Sequence, residues 1–279
     1  MTDHNATTLF LCGVGRSGTT ALRTSLGTHP EIYYNGFENN IVQEVAELAL
    51  RNRTMKSRKN SLVVSESEYN AKFNELLNAL IWPSKGLRQR PIHMAAINPT
   101  PSQLESLVKL FPNSKFVGLV RNGIEVVSSR MEFNSFADKQ FESHCDVWSR
   151  SEEVVRWGRK RKDVFRLIRH EWLYAPVKLN SWMVEFCDWL GIEFSELPQQ
   201  KILGKLEHPT SAAITLNRHS FPESTVADKR NYFLSKRERW RAWSPEQVAM
   251  FEDRCGRSMQ RLNYSIPWNQ FDDEIQAAG

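Results

Sequence analysis

Apolar positions along the chain follow two rhythms. Short unbroken runs at Leu9–Val14, Pro91–Ile97 and Lys115–Arg121 read as buried strands, the last of them the clearest. Glu31–Tyr34 and Asp163–Arg169 read as two shorter strands. Between these runs the spacing changes to that of amphipathic helices. Helices are expected over about Ser17–Gly27, from Asn39 onward with Ile41, Val42, Val45, Leu48 and Ala49 on one face, and over Tyr69–Ile81. More follow over Gly123–Met131, Ala137–Arg159 and Pro176–Leu190, the last ended by Gly191. Thr100-Pro101-Ser102-Gln103 and Ser244-Pro245-Glu246-Gln247 each combine a hydroxyl N-cap, a proline at the first helical position and a glutamine that completes a capping box. Residues 52–67 are polar and basic and read as a loop, and 194–234 show no period. Strands alternating with helices predict an α/β fold, with a central parallel sheet of about five strands flanked by helices. The chain reads as a single domain over 1–279, with a mobile or acceptor-binding insertion around 51–90.

Composition narrows this picture modestly. Of the 279 residues 41% are hydrophobic and 25% charged, which is a globular and not a disordered balance. There is no apolar run long enough to span a bilayer, and Met1-Thr2-Asp3-His4-Asn5 lacks the basic and apolar regions of a signal peptide, so the expected location is cytoplasmic. Cys12, Cys145, Cys187 and Cys255 suit neither a zinc site nor a disulfide framework and read as free thiols. A net charge of +5 favours an anionic ligand. The basic cluster Arg51–Lys59 has no interleaved aromatics, so it reads as a solvated loop, and no nucleic-acid partner is expected.

The chemistry concentrates where the first strand ends. Gly13-Val14-Gly15-Arg16-Ser17-Gly18-Thr19-Thr20 is a glycine-rich turn between a strand and a helix, the layout that lets backbone N–H groups approach an anion. Gly13 and Gly18 have the spacing of a nucleotide P-loop, but the lysine position is Thr19 and the cation has moved to Arg16. The fourth strand ends in Arg121, followed by Ser128 and Ser129, where a P-loop NTPase would place an aspartate for Mg²⁺. If the next helix starts at once, Arg121 and Ser129 face one ligand. Two anion sites without a metal ligand imply a ligand carrying two separated anionic groups and no metal. A P-loop kinase-like phosphotransferase using ATP and Mg²⁺, and a non-catalytic nucleotide-binding protein, stand as alternatives.

These two segments resemble the defining motifs of the PAPS-dependent sulfotransferase family, in particular its bacterial and heparan-type members. The resemblance implies the P-loop-like sulfotransferase fold and 3′-phosphoadenylyl sulfate (PAPS) as donor, with PAP as product. Phe10–Leu22 matches the 5′-phosphosulfate loop, so Arg16, Ser17, Gly18, Thr19 and Thr20 would hold the phosphosulfate. Lys115–Met131 matches the 3′-phosphate motif, so Arg121 and Ser129 would hold that phosphate. His170 occupies the place of a family tyrosine that touches adenine, and Arg230, in Asp228-Lys229-Arg230-Asn231, is the candidate for the late basic loop. Glu38, beyond the His29-Pro30 pair, resembles the general base of carbohydrate members, with Arg16 supporting catalysis. A lysine common in the family after the third strand is replaced within Ile97-Asn98-Pro99, and His93 nearby reads as structural. The glutamate base points to a carbohydrate or glycolipid hydroxyl as acceptor, shaped by residues 51–90, 132–145 and 205–235.

Overall fold

The computed structural model describes residues 6–38, 40–56, 65–82, 90–207 and 238–268. Five strands form one sheet: β1 (Thr7–Gly13), β2 (Ile32–Glu38), β3 (Ile92–Ile97), β4 (Ser114–Val120) and β5 (Phe165–Arg169). Their order is β2-β3-β1-β4-β5, and every neighbouring pair is parallel. The expected α/β architecture is therefore present. Parallel strands need crossovers, and the helices that supply them cover both faces of the sheet.

Period-two geometry divides the apolar strand residues between those faces. Phe10, Cys12, Ala95, Ile97 and Phe116 pack in one core with Val42, Val45 and Ala46 of α2 (Asn40–Lys56), Leu77 of α3 (Glu66–Ile81) and Leu104 and Leu107 of α4 (Pro101–Leu110). Leu9, Leu11, Met94, Val117 and Ile168 pack in the other. Their partners are Leu22 and Leu26 of α1 (Thr19–Leu26), and Trp182, Met183 and Phe186 at a later helix, Pro176–Leu190. Leu9, Phe10 and Leu11 have no exposed surface at all.

Several boundaries move for local reasons. The first helix begins at Thr19, not Ser17, because Gly18 is left-handed and cannot belong to it. The polar stretch 52–67 is helical at both of its described ends. Helix α2 continues through Lys56, and α3 starts at Glu66, because Ser65 Oγ accepts the Glu68 N–H at 3.2 Å and caps it. Strand β2 does not stop at Tyr34. It re-enters the ladder at Glu38, opposite Ala96, after a register irregularity. Helix α5 spans Gly123–Met131, and α6 (Phe141–Arg159) starts at Phe141 and not Ala137, after turns in which the Phe136 and Lys139 N–H groups donate to the Phe133 and Phe136 carbonyls. Helix α7 is Pro176–Leu190, and α8 (Leu197–Glu207) lies inside the stretch that showed no period. Both capping boxes form as read: Gln103 N–H donates to Thr100 Oγ1, Thr100 N–H donates to Gln103 Oε1, and Gln247 and Ser244 repeat the pattern.

Contacts divide the chain into two compact units. One, Met1–Val120 with Glu153–Ser220, contains the sheet. The other, Arg121–Glu152 with Phe221–Gly279, has its own core. There Trp148, Phe251, Cys255 and Met259 are fully buried, and Arg254 on the helix Pro245–Arg261 pairs with Glu142 and Asp146. All four cysteines are free and buried. No helix among the described residues is long and apolar enough to cross a membrane.

Phe165 shows how tightly the first unit is filled. Its ring lies against Gly118 of β4 and Gly158 of α6, where a Cβ on either glycine would collide with it. Gly158→Ala is expected to destabilise the protein by about 1–3 kcal/mol through overpacking, read as a lower midpoint in urea unfolding.

Candidate functional site

Beyond β1 the chain turns sharply. Val14 is buried, Arg16 adopts φ 81° and Gly18 φ 97°, so two of three consecutive residues are left-handed. A non-glycine residue holds that conformation only when its surroundings enforce it. Part of the enforcement is the Ser17 N–H, which donates to the Val14 carbonyl at 3.0 Å. The Leu22 N–H donates to the Gly18 carbonyl at 3.1 Å, which makes Gly18 the N-cap of α1. Among the described residues no side chain caps this helix, and no acidic residue stands in its first turn. The positive end of α1 is thus left for an external anion. Ser17 supports that reading: its side chain is fully buried and its Oγ has no hydrogen-bond partner among the described residues. A buried hydroxyl of this kind fits a ligand that brings its own acceptor.

Two glycines make the turn possible. A Cβ on Gly13 would lie 2.6 Å from Thr19 Cγ2, so Gly13 lets Thr19 fold back on the strand end. A Cβ on Gly18 would lie 2.6 Å from His170 Cδ2. His170 opens a 3₁₀ turn, His170–Tyr174, directly after β5, and is only 5% exposed. Arg16 and Thr20 are exposed and Thr19 is buried.

The second predicted loop begins where β4 ends. Arg121 follows Val120 directly, but α5 starts two residues later, with Asn122 as its cap, Oδ1 accepting the Ile124 N–H at 2.9 Å. Arg121 therefore precedes the helix, and its spacing to Ser129 does not run along one helical face as expected. Sequence reasoning missed the partner of Arg121. Its Nε and Nη2 both bond Glu125 Oε2, at 2.8 and 2.7 Å, in a pair buried to within a tenth of its surface on each side. The Arg121 carbonyl accepts the Trp148 indole N–H at 3.0 Å. The i,i+4 spacing of Arg121 and Glu125 was the available signal. Ser129 is half-buried, and the neighbouring Ser128 is buried with no partner for its Oγ among the described residues.

Glu38 is the last residue of β2, in register with Ala96; its side chain lies outside those described. Asn98, in the place of the absent lysine's loop, is tied to α2. Gln43 Nε2 donates to its carbonyl at 2.6 Å and its N–H donates to Gln43 Oε1 at 3.0 Å. His29 is structural: Nδ1 accepts the Glu31 N–H at 3.1 Å, which leaves Nε2 to donate to the Glu193 carbonyl at 2.9 Å. His93 is buried against Tyr33 and Trp82. Arg230 lies outside the described residues.

A family model described as "Sulfotransferase family" matches residues 8–196, which include both loops. The chain belongs to the PAPS-dependent sulfotransferase family. That membership turns the reading away from a kinase-like phosphotransferase. Sulfotransferases are also what the chain resembles elsewhere. It is 34% identical over 213 residues to protein-tyrosine sulfotransferase 2 of Gallus gallus, covering 71% of this chain and 55% of the relative. It is 25% identical over 229 residues to the Drosophila melanogaster protein-tyrosine sulfotransferase, covering 74% and 44%. The chain spans about half the length of the curated relatives it matches. Among solved structures it shares the fold of the sulfotransferase domain from the curacin biosynthetic pathway. The TM-score is 0.58 at 17% identity, over 94% of this chain and 99% of that one. The sulfotransferase from Alicyclobacillus acidocaldarius gives 0.50 at 13% identity, over 93% and 96%.

Within this member of the family the buried pair of Arg121 and Glu125 makes its own prediction. Glu125→Ala strips the carboxylate from a desolvated guanidinium and is expected to lower stability by about 3 kcal/mol, measured by chemical denaturation.

Proposed function

We propose that the whole chain, 1–279, works as one sulfotransferase domain that moves a sulfuryl group from PAPS to the phenol of a tyrosine in a polypeptide. The observation that carries the donor half is the start of α1, which has no side-chain cap among the described residues, beside the buried Ser17 hydroxyl, which has no partner among them. The acceptor half rests on relatives whose names specify protein tyrosine, and it replaces the expectation of a carbohydrate.

PAPS brings the sulfuryl group on a phosphate that can leave. The backbone N–H groups of Thr19 and Thr20, with the Ser17 hydroxyl and the Arg16 guanidinium, would hold the 5′-phosphosulfate and stabilise the charge that grows on its bridging oxygen. Arg121 and Ser129 would bind the 3′-phosphate, remote from the transfer, and so orient the donor. Glu38 would accept the phenolic proton as the new O–S bond forms, in line with departure of the phosphate. A phenol, with a pKa of about 10, gives up its proton to a carboxylate more readily than an aliphatic hydroxyl does.

Glu38→Gln is expected to lower turnover by about 10²–10⁴-fold with PAP affinity unchanged. Normal turnover in that variant removes Glu38 from the role. Replacing Arg121 and Glu125 together by leucine, which leaves no unpaired buried charge, is expected to weaken PAP by about 1.5–3 kcal/mol in calorimetric titration. The acceptor class is tested by mass spectrometry after incubation with PAPS and either a tyrosine-containing acidic peptide or an oligosaccharide. Sulfate on the peptide is expected; sulfate on the sugar alone overturns the phenol reading, and none on either favours a non-catalytic binder.

A further inference from the structure

We propose that His170 is a positioning residue that fixes the phosphosulfate loop from beneath, and that it is not a contact for the adenine base. This rests on the reading that the loop receives the 5′ end of the donor.

The position invites the adenine assignment, because it follows a strand end and carries a ring. The packing points elsewhere. A side chain that stacks on a base must offer it a free face, and His170 is 5% exposed. The edge of its ring fills the space that a Cβ on Gly18 would need, with Cδ2 2.6 Å and Nε2 3.2 Å from that point. The phenol ring of Tyr174 also packs against the imidazole, edge-on at a centroid distance of 5.1 Å, with its hydroxyl 3.5 Å from Nε2. Leu173, in the same 3₁₀ turn and fully buried, joins Leu22 and Leu26 of α1 in one core cluster and lies 3.7 Å from the Gly18 Cβ position. One short turn thus meets the cap of α1 twice, through His170 and through Leu173.

The grip matters because of what Gly18 is. Glycine ranges widely over backbone conformations, and here it must stay at φ 97°, ψ 13° for the next N–H groups to point along the helix axis toward an anion. No side chain of α1 caps the helix to hold that geometry. A ring wedged against the residue removes its alternatives before a ligand arrives, so the donor is not left to impose the order on binding.

The test separates a loop role from a base role by choosing nucleotides. PAP has a 5′-phosphate for the loop; adenosine 3′-monophosphate keeps the base and the 3′-phosphate and lacks it. With His170→Ala, calorimetry is expected to give PAP binding weaker by about tenfold or more and adenosine 3′-monophosphate within about twofold of wild type. His170→Phe, which keeps a ring edge at Gly18, is expected to restore most of the PAP affinity and guards against a loss caused by misfolding. Equal losses for both nucleotides place His170 on the base and overturn the proposal, as does an unchanged PAP affinity. A second arm needs no nucleotide: in a double-mutant cycle read by melting temperature, Gly18→Ala is expected to destabilise less in the His170→Ala background than in wild type. Additive effects overturn the wedge. Coupling in this cycle, with a wild-type protein that binds neither nucleotide, keeps the wedge and removes the donor reading instead.

Discussion

Leu9, Phe10 and Leu11 are closed off from water on both faces of the sheet, so β1 can present polar groups only where it ends. The placing of the glycine loop follows from that confinement. The central strand is held in register on one side by β3 and on the other by β4, and its carboxyl end cannot drift. The glycine loop inherits that rigidity at Gly13 and passes it to α1. A cradle of N–H groups is useful only if it exists before the ligand does, and here the order comes from two packed hydrophobic layers.

The second loop solves a related problem differently. Arg121 is almost wholly buried, and a lone guanidinium there would carry a large desolvation penalty. Glu125 offsets it with two hydrogen bonds to one oxygen, and the Trp148 indole ties down the backbone at the same residue. The pair holds a cation in one orientation directly after the strand ends.

Much of this was legible in the sequence. The strands at Leu9–Val14 and Lys115–Arg121, the glycine spacing and both capping boxes are local signals, each fixed by neighbours within a few residues, and each appears where it was read. Other features depend on distant partners. Strand β2 runs on to Glu38 because β3 is there to pair with it. Helix α8 forms in a stretch without periodicity, with Ile202 supplying its fully buried anchor. The seat of His170 against Gly18 joins residues about 150 positions apart, and no pattern along the chain announces it.

The cysteines carry a practical corollary. Cys12 and Cys187 lie in the unit that holds the sheet, Cys145 and Cys255 in the other, and none exposes more than about one per cent of its surface. Burial also pushes the Cys12 thiol far above its ordinary range, away from the reactive thiolate. Alkylating reagents therefore have no target in the folded protein, and labelling reports opening. Because the sulfur atoms are shared evenly, peptide mapping of the labelled sites distinguishes which half of the molecule breathes first.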